Sequence, residues 1–447
     1  MSNLYHDSNA LAMKRTIWLC LALQAFCTLS AQEVGRIHRT EMIPYDTRQD
    51  AVTRNRASSG YTIDFAPSAA GLEGKAVVME QNTEIPYIWT DGNIYLHMEH
   101  VGTAYTLRIN GRIVAEVEDP STPAEFALTP FIRQGKNTFQ VVMRSSRAAS
   151  INVTPATAKP FEGSYLYYQN KRSIRDFEVA LVPDTAGRDF GMLDLKIIVQ
   201  NSFNYEEPVT IGYDIYSPAG KLLEFNVVDT KVAGQSVDTL HFQPYIYGTY
   251  NYKWEAGKKN PPLYDVMLFT KRHGAYKEYM PLKLGFGKTE FQDGKFMRFG
   301  KELKLKSKVF NATVDAKTTE TQLKTLRTQG YNTLTPDYPQ PAWFYELCDK
   351  LGMYVIDKAN INAPEKRDDR KVGGTPSNDP ALVGEYLERV KAMYYRSRNF
   401  TCVIAYALGG DSGNGYNMYK AYEWLKSVEH TRPIIYRDAA GEWNSDL

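Results

Sequence analysis

The sequence contains little cysteine and no excess of charge of either sign. Only four of its 447 residues are cysteine, and the formal net charge is +2. Two of the cysteines precede residue 32, and the remaining pair, Cys348 and Cys402, is too small a set for a disulfide framework and is expected to stay as buried free thiols. Acidic and basic residues are well mixed, which argues against nucleic acid or an anionic membrane surface as a partner.

Apolar runs long enough to span a membrane are also lacking. The apolar run at 16–29 follows two basic residues and precedes a small-residue pair at 30–31, which predicts a signal peptide over 1–31. A run of this length is too short for a permanent membrane helix. We therefore expect an exported protein that is periplasmic, secreted or located in the cell envelope, without a membrane span after cleavage. Residues 32–58 are polar and aperiodic and are expected to form an extended leader.

Aromatic residues, in contrast, are abundant. The chain has 31 Tyr and 6 Trp, a content that suits proteins in contact with carbohydrate and equally suits the cores of β-sandwiches. Apolar and polar residues alternate at 104–109 and again at 113–117, on either side of an Asn-Gly turn. Such short strands predict one β-sandwich over 59–180 and an immunoglobulin-like sandwich over 181–300.

The apolar period changes near residue 303, where strands and helices begin to alternate. The predicted strands are 303–309, 331–334, 353–357, 403–408 and 434–436, and the predicted helices are 318–328, 342–351, 380–396 and 416–428. Alternating units of this size specify a parallel sheet with crossover helices. About five units fit into 301–447, whereas a closed (β/α)8 barrel has eight, so the sequence predicts a partial TIM barrel.

The strand at 403–408 leads into a turn of small residues that carries one carboxylate, Asp411. Barrel enzymes place their catalytic groups just beyond the carboxyl ends of the strands. Asp411 is therefore the candidate catalytic residue.

Six short motifs follow one another along the chain. They are Thr-Pro-Ala-Glu-Phe at 122–126, Gly-Lys-Asn-Thr at 135–138, Asn-Pro-Pro-Leu-Tyr at 260–264, Tyr-Glu-Leu-Cys-Asp at 345–349, Gly-Met-Tyr-Val-Ile-Asp at 352–357 and Thr-Arg-Pro at 431–433. The ordered series resembles the family 2 glycoside hydrolases, the β-galactosidase group. This resemblance implies a sugar-binding jelly roll for the first sandwich, an immunoglobulin-like second domain and a catalytic barrel that is incomplete in this sequence.

The resemblance also implies site residues, most of which are substituted. Retaining glycosidases use two carboxylates, an acid/base and a nucleophile. The family's acid/base turn, Gly-Asn-Glu-Ser-Gly, is Gly-Gly-Asp-Ser-Gly here, so Asp411 is shorter by one methylene and Gly410 lacks the amide that contacts the sugar. A shift of about an ångström can cost on the order of a hundredfold in rate. The family's remaining substrate-binding positions, mostly substituted here, fall at Asp337, Asn311, Asn170 and Asn360.

The family's nucleophile falls beyond residue 447, and its magnesium motif is altered. The motif Glu-Ala-Asn-Ile-Glu-x-His corresponds to Lys-Ala-Asn-Ile-Asn-Ala-Pro at 358–364. Because both carboxylates and the histidine are replaced, we expect no cofactor and no metal ion. His97 and His100 alternate with apolar residues on a strand, and the sequence places no third ligand at metal-binding spacing beside them.

These substitutions predict a β-galactosidase-like protein that acts on or recognises β-linked glycans and is catalytically impaired or inactive as the sequence stands. Lys358 is a candidate ion-pair partner for Asp411 or Asp337. Two alternatives stay open. One is a carbohydrate- or protein-binding subunit whose open barrel edge after residue 436 is covered by a partner chain, because an exposed edge strand invites association. The other is the N-terminal part of an interrupted hydrolase gene.

Overall fold

The fold consists of two β-sandwiches followed by a parallel sheet with helices. The computed structural model describes residues 34–55, 60–73, 76–152, 160–184, 186, 188–313 and 315–447. The predicted signal peptide lies outside these residues. Separate hydrophobic cores fill the first sandwich, the second sandwich and the barrel region, which confirms the predicted multidomain architecture.

The first sandwich is built from two antiparallel five-stranded sheets. Its strands are β1 (Gly35–Ile37), β2 (Gly60–Thr62), β3 (Ala66–Glu73), β4 (Ala76–Ile85), β5 (Gly92–Met98), β6 (Tyr105–Ile109), β7 (Arg112–Val117), β8 (Ala124–Ala127), β9 (Gly135–Met143) and β10 (Tyr165–Asn170). The sheet orders are β1-β8-β5-β10-β2 and β3-β4-β9-β6-β7. Asn110 and Gly111 have φ angles of 51° and 79°, the positive values that a two-residue hairpin turn requires. The hairpin predicted here is confirmed.

The N-terminal segment, residues 34–55, differs from the extended leader predicted for 32–58. It contains β1 and a short helix, α1 (Arg48–Thr53). Thr47 Oγ1 accepts a hydrogen bond from Asp50 N at 3.1 Å and caps this helix. The side chain of Arg39 is fully buried, and its Nε donates to Glu125 at 2.6 Å. The segment is too short to show a periodic pattern, and the residues that it contacts lie far away in the sequence. Its strand and helix were therefore not predicted.

The second sandwich packs a four-stranded sheet on the group β11-β12-β15, in which β16 also pairs with β12. Its strands are β11 (Arg172–Pro183), β12 (Phe190–Asn201), β13 (Glu207–Tyr216), β14 (Leu222–Val232), β15 (Ser236–Phe242), β16 (Tyr245–Tyr247), β17 (Tyr264–Arg272) and β18 (Ala275–Leu284). Alternate residues of β12, from Leu193 to Val199, are fully buried. Because β11 pairs with β12 along its length, this domain begins before the boundary predicted at residue 180.

A small antiparallel sheet joins this sandwich to the barrel. Its strands are β19 (Thr289–Gln292), β20 (Lys295–Arg298) and β21 (Lys301–Glu302). Trp254 also connects the two domains. It is fully buried, and its Nε1 donates to the backbone oxygen of Asp349 at 2.8 Å.

The barrel segment is a five-stranded parallel sheet in the order β22-β23-β24-β25-β26. Its elements are β22 (Ser307–Val309), α2 (Ala316–Thr328), β23 (Thr333–Thr335), α3 (Ala342–Leu351), β24 (Tyr354–Lys358), α4 (Val383–Ser397), β25 (Val403–Ala407), α5 (Tyr416–Val428) and β26 (Ile434–Ile435). The alternation of strands and helices follows the prediction. Among the described residues, no helix combines the length and apolar character needed to cross a membrane.

One edge of this sheet differs from the expectation. Asp446 N donates to Ile434 O at 2.8 Å, and Tyr436 N donates to Ser445 Oγ at 3.0 Å. Residues of this same chain therefore cover part of the edge that was predicted to be open after residue 436.

Candidate active site

The carboxyl ends of the barrel strands meet at one edge of the sheet, because the strands are parallel and adjacent. Asn311 and Asp337 lie in the loops directly after β22 and β23, and Lys358 is the last residue of β24. The structure brings these three side chains together. Asp411, in the turn after β25, has different partners.

Asn311, Asp337 and Lys358 form one hydrogen-bonded group, here called the strand-end cluster. Asn311 Nδ2 donates to Asp337 Oδ2 at 3.0 Å, and Asp337 N donates back to Asn311 Oδ1 at 2.8 Å. Lys358 Nζ lies 3.1 Å from Asp337 Oδ1, with side chains 20% and 49% exposed. Of the two partners considered for Lys358, the structure thus selects Asp337.

A buried layer holds the strand-end cluster in place. Gln340 accepts a hydrogen bond from Ala312 N at 2.7 Å and donates its own N–H to Tyr345 Oη at 3.0 Å. Tyr345 in turn donates to the buried carboxylate of Asp357 at 2.9 Å. Burial raises the pKa of Asp357 to about 7, although hydrogen bonds from Ser397 and Tyr345 oppose the shift. The loops after β22 and β23 are therefore fixed to the core.

The turn after β25 lies close to the loop after β24. Gly410 N donates to Ile361 O at 2.7 Å. A Cβ atom at position 410 would lie 2.5 Å from Asn362 Oδ1, which is too close for an undisturbed side chain. A side chain at position 410 would therefore require the amide end of Asn362 to move.

Asp411 is an ion-pair residue in this structure. Its carboxylate contacts Arg437, and Arg367 Nη1 lies 3.7 Å from its Oδ1. The Asp411 side chain is 44% exposed. Among the described residues, no ion pair or hydrogen bond joins it to Lys358 of the strand-end cluster.

A second carboxylate, Asp438, holds the same turn and was missed in the sequence. Its side chain is 5% exposed, and its Oδ2 accepts hydrogen bonds from the backbone N–H groups of Ser412 at 2.8 Å and Gly413 at 3.0 Å. Asp438 follows β26, so the rule that identified the carboxylate after β25 could also have found it. Arg367 lies in a turn and Arg437 begins a short 3-10 helix, and neither carried a comparable signal.

Asn360 lies in the contact between the barrel and the first sandwich. It is fully buried, its Nδ2 donates to Asp119 Oδ1 at 2.6 Å, and its Oδ1 accepts from Asn152. Asp119 also pairs with Arg389 of α4 at 3.3 Å, and the two side chains are 1% and 2% exposed. In this structure the amide of Asn360 joins two domains.

Asn170, at the end of β10, is hydrogen-bonded within the first sandwich. Its backbone oxygen accepts from Asn93 Nδ2 at 3.3 Å, and its Oδ1 accepts from Tyr168 Oη at 3.4 Å. Of the substrate-binding positions implied by the resemblance, the strand-end cluster thus contains Asn311 and Asp337.

Residues 358–364 do not fit the magnesium ion that the resemblance implies. Lys358 is cationic, Asn360 is occupied in the domain contact, and Asn362 packs against Gly410. Magnesium requires oxygen ligands, usually including carboxylates. The Lys358 ammonium, 3.1 Å from Asp337, repels a second cation at that carboxylate.

Another group of candidate metal ligands consists of Glu41, His97 and Glu99, whose ligand atoms lie within 4.8 Å of one another. Burial alone would lower the pKa of His97, but hydrogen bonds to Glu125 and Glu99 raise it to about 9. Arg396 contacts Glu41 and lies 3.9 Å from Glu99. These carboxylates are therefore neutralised by the imidazolium and the guanidinium. The sequence could not show the group, because Glu41 comes from the N-terminal segment.

A cavity of about 1170 Å³ lies where the N-terminal segment, both sandwiches and α3 meet. Its wall includes Tyr338 and Gln340, which neighbour the strand-end cluster, and His100 of the first sandwich. The rings of His100 and Tyr338 are 6.3 Å apart. The first sandwich therefore reaches the loop that carries Asp337.

Two family descriptions match the chain. Glycosyl hydrolases family 2, sugar binding domain, matches residues 44–156, and Glycosyl hydrolases family 2, TIM barrel domain, matches residues 306–446. The β-galactosidases of Priestia megaterium and Streptococcus thermophilus are each 27% identical to the chain, over 365 and 372 residues. Each match covers 78% of this chain, but 35% and 34% of the respective relative. The chain therefore spans about a third of the length of these relatives.

Solved structures share the fold. The β-glucuronidase of Bacteroides uniformis has a TM-score of 0.68 at 15% identity, covering 90% of this chain and 52% of that chain. A putative β-galactosidase of Bacteroides fragilis has a TM-score of 0.69 at 14% identity, covering 86% of this chain and 59% of that chain. Because the two family 2 domains match residues 44–156 and 306–446, which together make up more than half of the chain, the chain belongs to family 2 of the glycoside hydrolases.

Proposed function

We propose that this protein recognises β-linked glycans at the strand ends of its barrel segment and does not perform the family's double displacement as this chain stands. The observation that carries the proposal is the pairing of Asp411 with Arg437 and Arg367. A glycosidase acid/base must carry a proton and release it to the leaving oxygen. A carboxylate held by two guanidinium groups serves instead as an ion-pair partner.

Glycan recognition is supported by the composition of the strand-end cluster. Its half-exposed carboxylate accepts hydrogen bonds, and its ammonium and amide groups donate them. Sugar hydroxyls both donate and accept, so they can bond to such a set. The names of the relatives describe enzymes of β-galactosides and β-glucuronides, and a β-galactoside is the first ligand to test.

The test is hydrolysis and binding by the purified protein. We expect no more nitrophenol release from aryl β-galactosides and β-glucuronides by the wild type than by Asp411→Asn. Asp368→Asn is the matched control, because Asp368 is 97% exposed beside the same arginine, Arg367. Calorimetry should show binding of methyl β-galactoside at millimolar concentration. Release by the wild type and by Asp368→Asn that Asp411→Asn abolishes would refute the loss of catalysis, and absence of binding to any β-glycoside would refute recognition.

A second candidate is a binding subunit whose barrel sheet is completed by another polypeptide. The observation that favours it is β22, which has one neighbour in the sheet among the residues that the structure describes and carries Val309 with 59% of its surface exposed. Native mass spectrometry of the protein isolated from its source would reveal a stoichiometric partner chain, and a monomer would contradict this candidate.

Fractionation with N-terminal sequencing would test the proposed export and cleavage near residue 31.

A further inference from the structure

Lys358 is part of a fixed polar group rather than a free surface lysine. Its side chain is 20% exposed and lies at the end of β24. Asp337, its partner, is held from the other side by two hydrogen bonds with Asn311. Gln340 is 1% exposed and connects the loops that carry Asn311 and Asp337, because its side chain accepts from Ala312 N and donates to Tyr338 O. The donors and acceptors of the cluster are therefore in position before any ligand arrives.

The cluster keeps hydrogen-bonding capacity for a ligand. An ammonium group has three N–H donors, and Asp337 accepts the hydrogen bond that Lys358 Nζ makes among the described residues. The Asp337 side chain is 49% exposed. A hydroxyl group that accepts from Lys358 and donates to Asp337 would satisfy both, and two adjacent hydroxyls could engage Asn311 as well.

We propose that Lys358 serves as a built-in cation of this site, so that the strand-end cluster binds the hydroxyls of a β-linked sugar without a divalent metal ion. The inference rests on the proposed glycan recognition and adds the source of the positive charge. The Lys358 ammonium lies beside the Asp337 carboxylate, where a metal ion would otherwise compensate the negative charge. Of the two amides that follow it in the loop, Asn360 donates to Asp119 at 2.6 Å and Asn362 lies beside Gly410.

The experiment is calorimetry with methyl β-galactoside in the presence of EDTA and, separately, of Mg²⁺. We expect equal affinity for the wild type in both conditions. Lys358→Met should weaken binding by about tenfold or more, the value of a lost charge-assisted hydrogen bond, whereas Lys358→Arg keeps the charge and should lose less. Lys324→Met is the matched control, because Lys324 is 59% exposed on α2, and its affinity should equal that of the wild type.

A thermal unfolding series with Mg²⁺ provides a readout independent of sugar. The midpoint of the wild type should not rise with Mg²⁺, and Lys358→Met should unfold cooperatively, which shows that it is folded. Tighter sugar binding or a higher midpoint with Mg²⁺ in the wild type, or unchanged affinity in Lys358→Met, would overturn the built-in cation while leaving glycan recognition intact. Wild-type protein that binds no β-glycoside in either condition would instead refute the proposed function on which this inference depends.

Discussion

The buried ion pair between Arg389 and Asp119 should determine how firmly the barrel docks on the first sandwich. Arg389 belongs to α4 and Asp119 to the first sandwich, their side chains are 2% and 1% exposed, and Nη1 and Oδ1 are 3.3 Å apart. Arg389→Met keeps most of the side-chain volume but leaves the Asp119 carboxylate with neutral donors, Asn360 Nδ2 at 2.6 Å and Ser121 N at 3.2 Å. An uncompensated buried charge costs about 3–5 kcal/mol.

The assay is denaturant unfolding of the wild type, Arg389→Met, Asp119→Asn and the double variant. We expect each single variant to lose about 3 kcal/mol or more of unfolding free energy. The double variant should lose less than the sum, because neither charge is then left alone. Arg370→Met is the control, because Arg370 is 52% exposed in its ion pair with Glu442 and should cost less than about 1 kcal/mol. An Arg389→Met protein as stable as this control, or strictly additive losses, would refute the reasoning.

Three further outcomes are expected. Asp438→Ala should cost about 2–5 kcal/mol of unfolding free energy, because it leaves two N–H groups of the turn at 412–413 without their acceptor; Asp438→Asn should cost less, and equal losses would contradict this. The stability contributed by His97 is present below pH 6.5 and lost as pH rises through about 9, because the pKa of His97 is raised in the folded protein. The unfolding free energy of His97→Gln should therefore depend less on pH between these values than that of the wild type. The same pH dependence in both proteins would contradict the raised pKa. Trp254→Phe should lower stability by about 1–3 kcal/mol, because the backbone oxygen of Asp349 loses its indole donor, and an unchanged midpoint of thermal unfolding would show that this bond contributes little.

The barrel segment was largely predictable from sequence because its signals are local. The helices predicted at 342–351 and 416–428 have those bounds in the structure. Their apolar residues recur at helical spacing, and a left-handed glycine, Gly352 with φ of 69°, ends the first of them. The family resemblance indicated Asn311 and Asp337 as site positions and Lys358 was a candidate partner of Asp337, and the structure joins these three residues.

Contacts between distant parts of the chain were not predictable in the same way. The sequence offers no pattern that pairs Asp411 with Arg437 or Asn360 with Asp119, because these pairs depend on how loops and domains pack. Family position indicated where Asp411 and Asn360 lie along the fold. Family position could not indicate that in this protein Asp411 forms ion pairs and Asn360 forms hydrogen bonds between two domains.

The packing of the N-terminal segment has a consequence for the order of folding. Glu41 contacts Arg396, and Thr40 accepts hydrogen bonds from Arg398 at 3.2 Å and Asn399 at 3.0 Å, partners that follow it by 355, 358 and 359 residues. The segment is synthesised long before the helix α4 that it binds. Contacts of such sequence separation form slowly, because a long loop must close first. Docking of the N-terminal segment should therefore be a late step of folding, completed only after both sandwiches and the barrel sheet have formed.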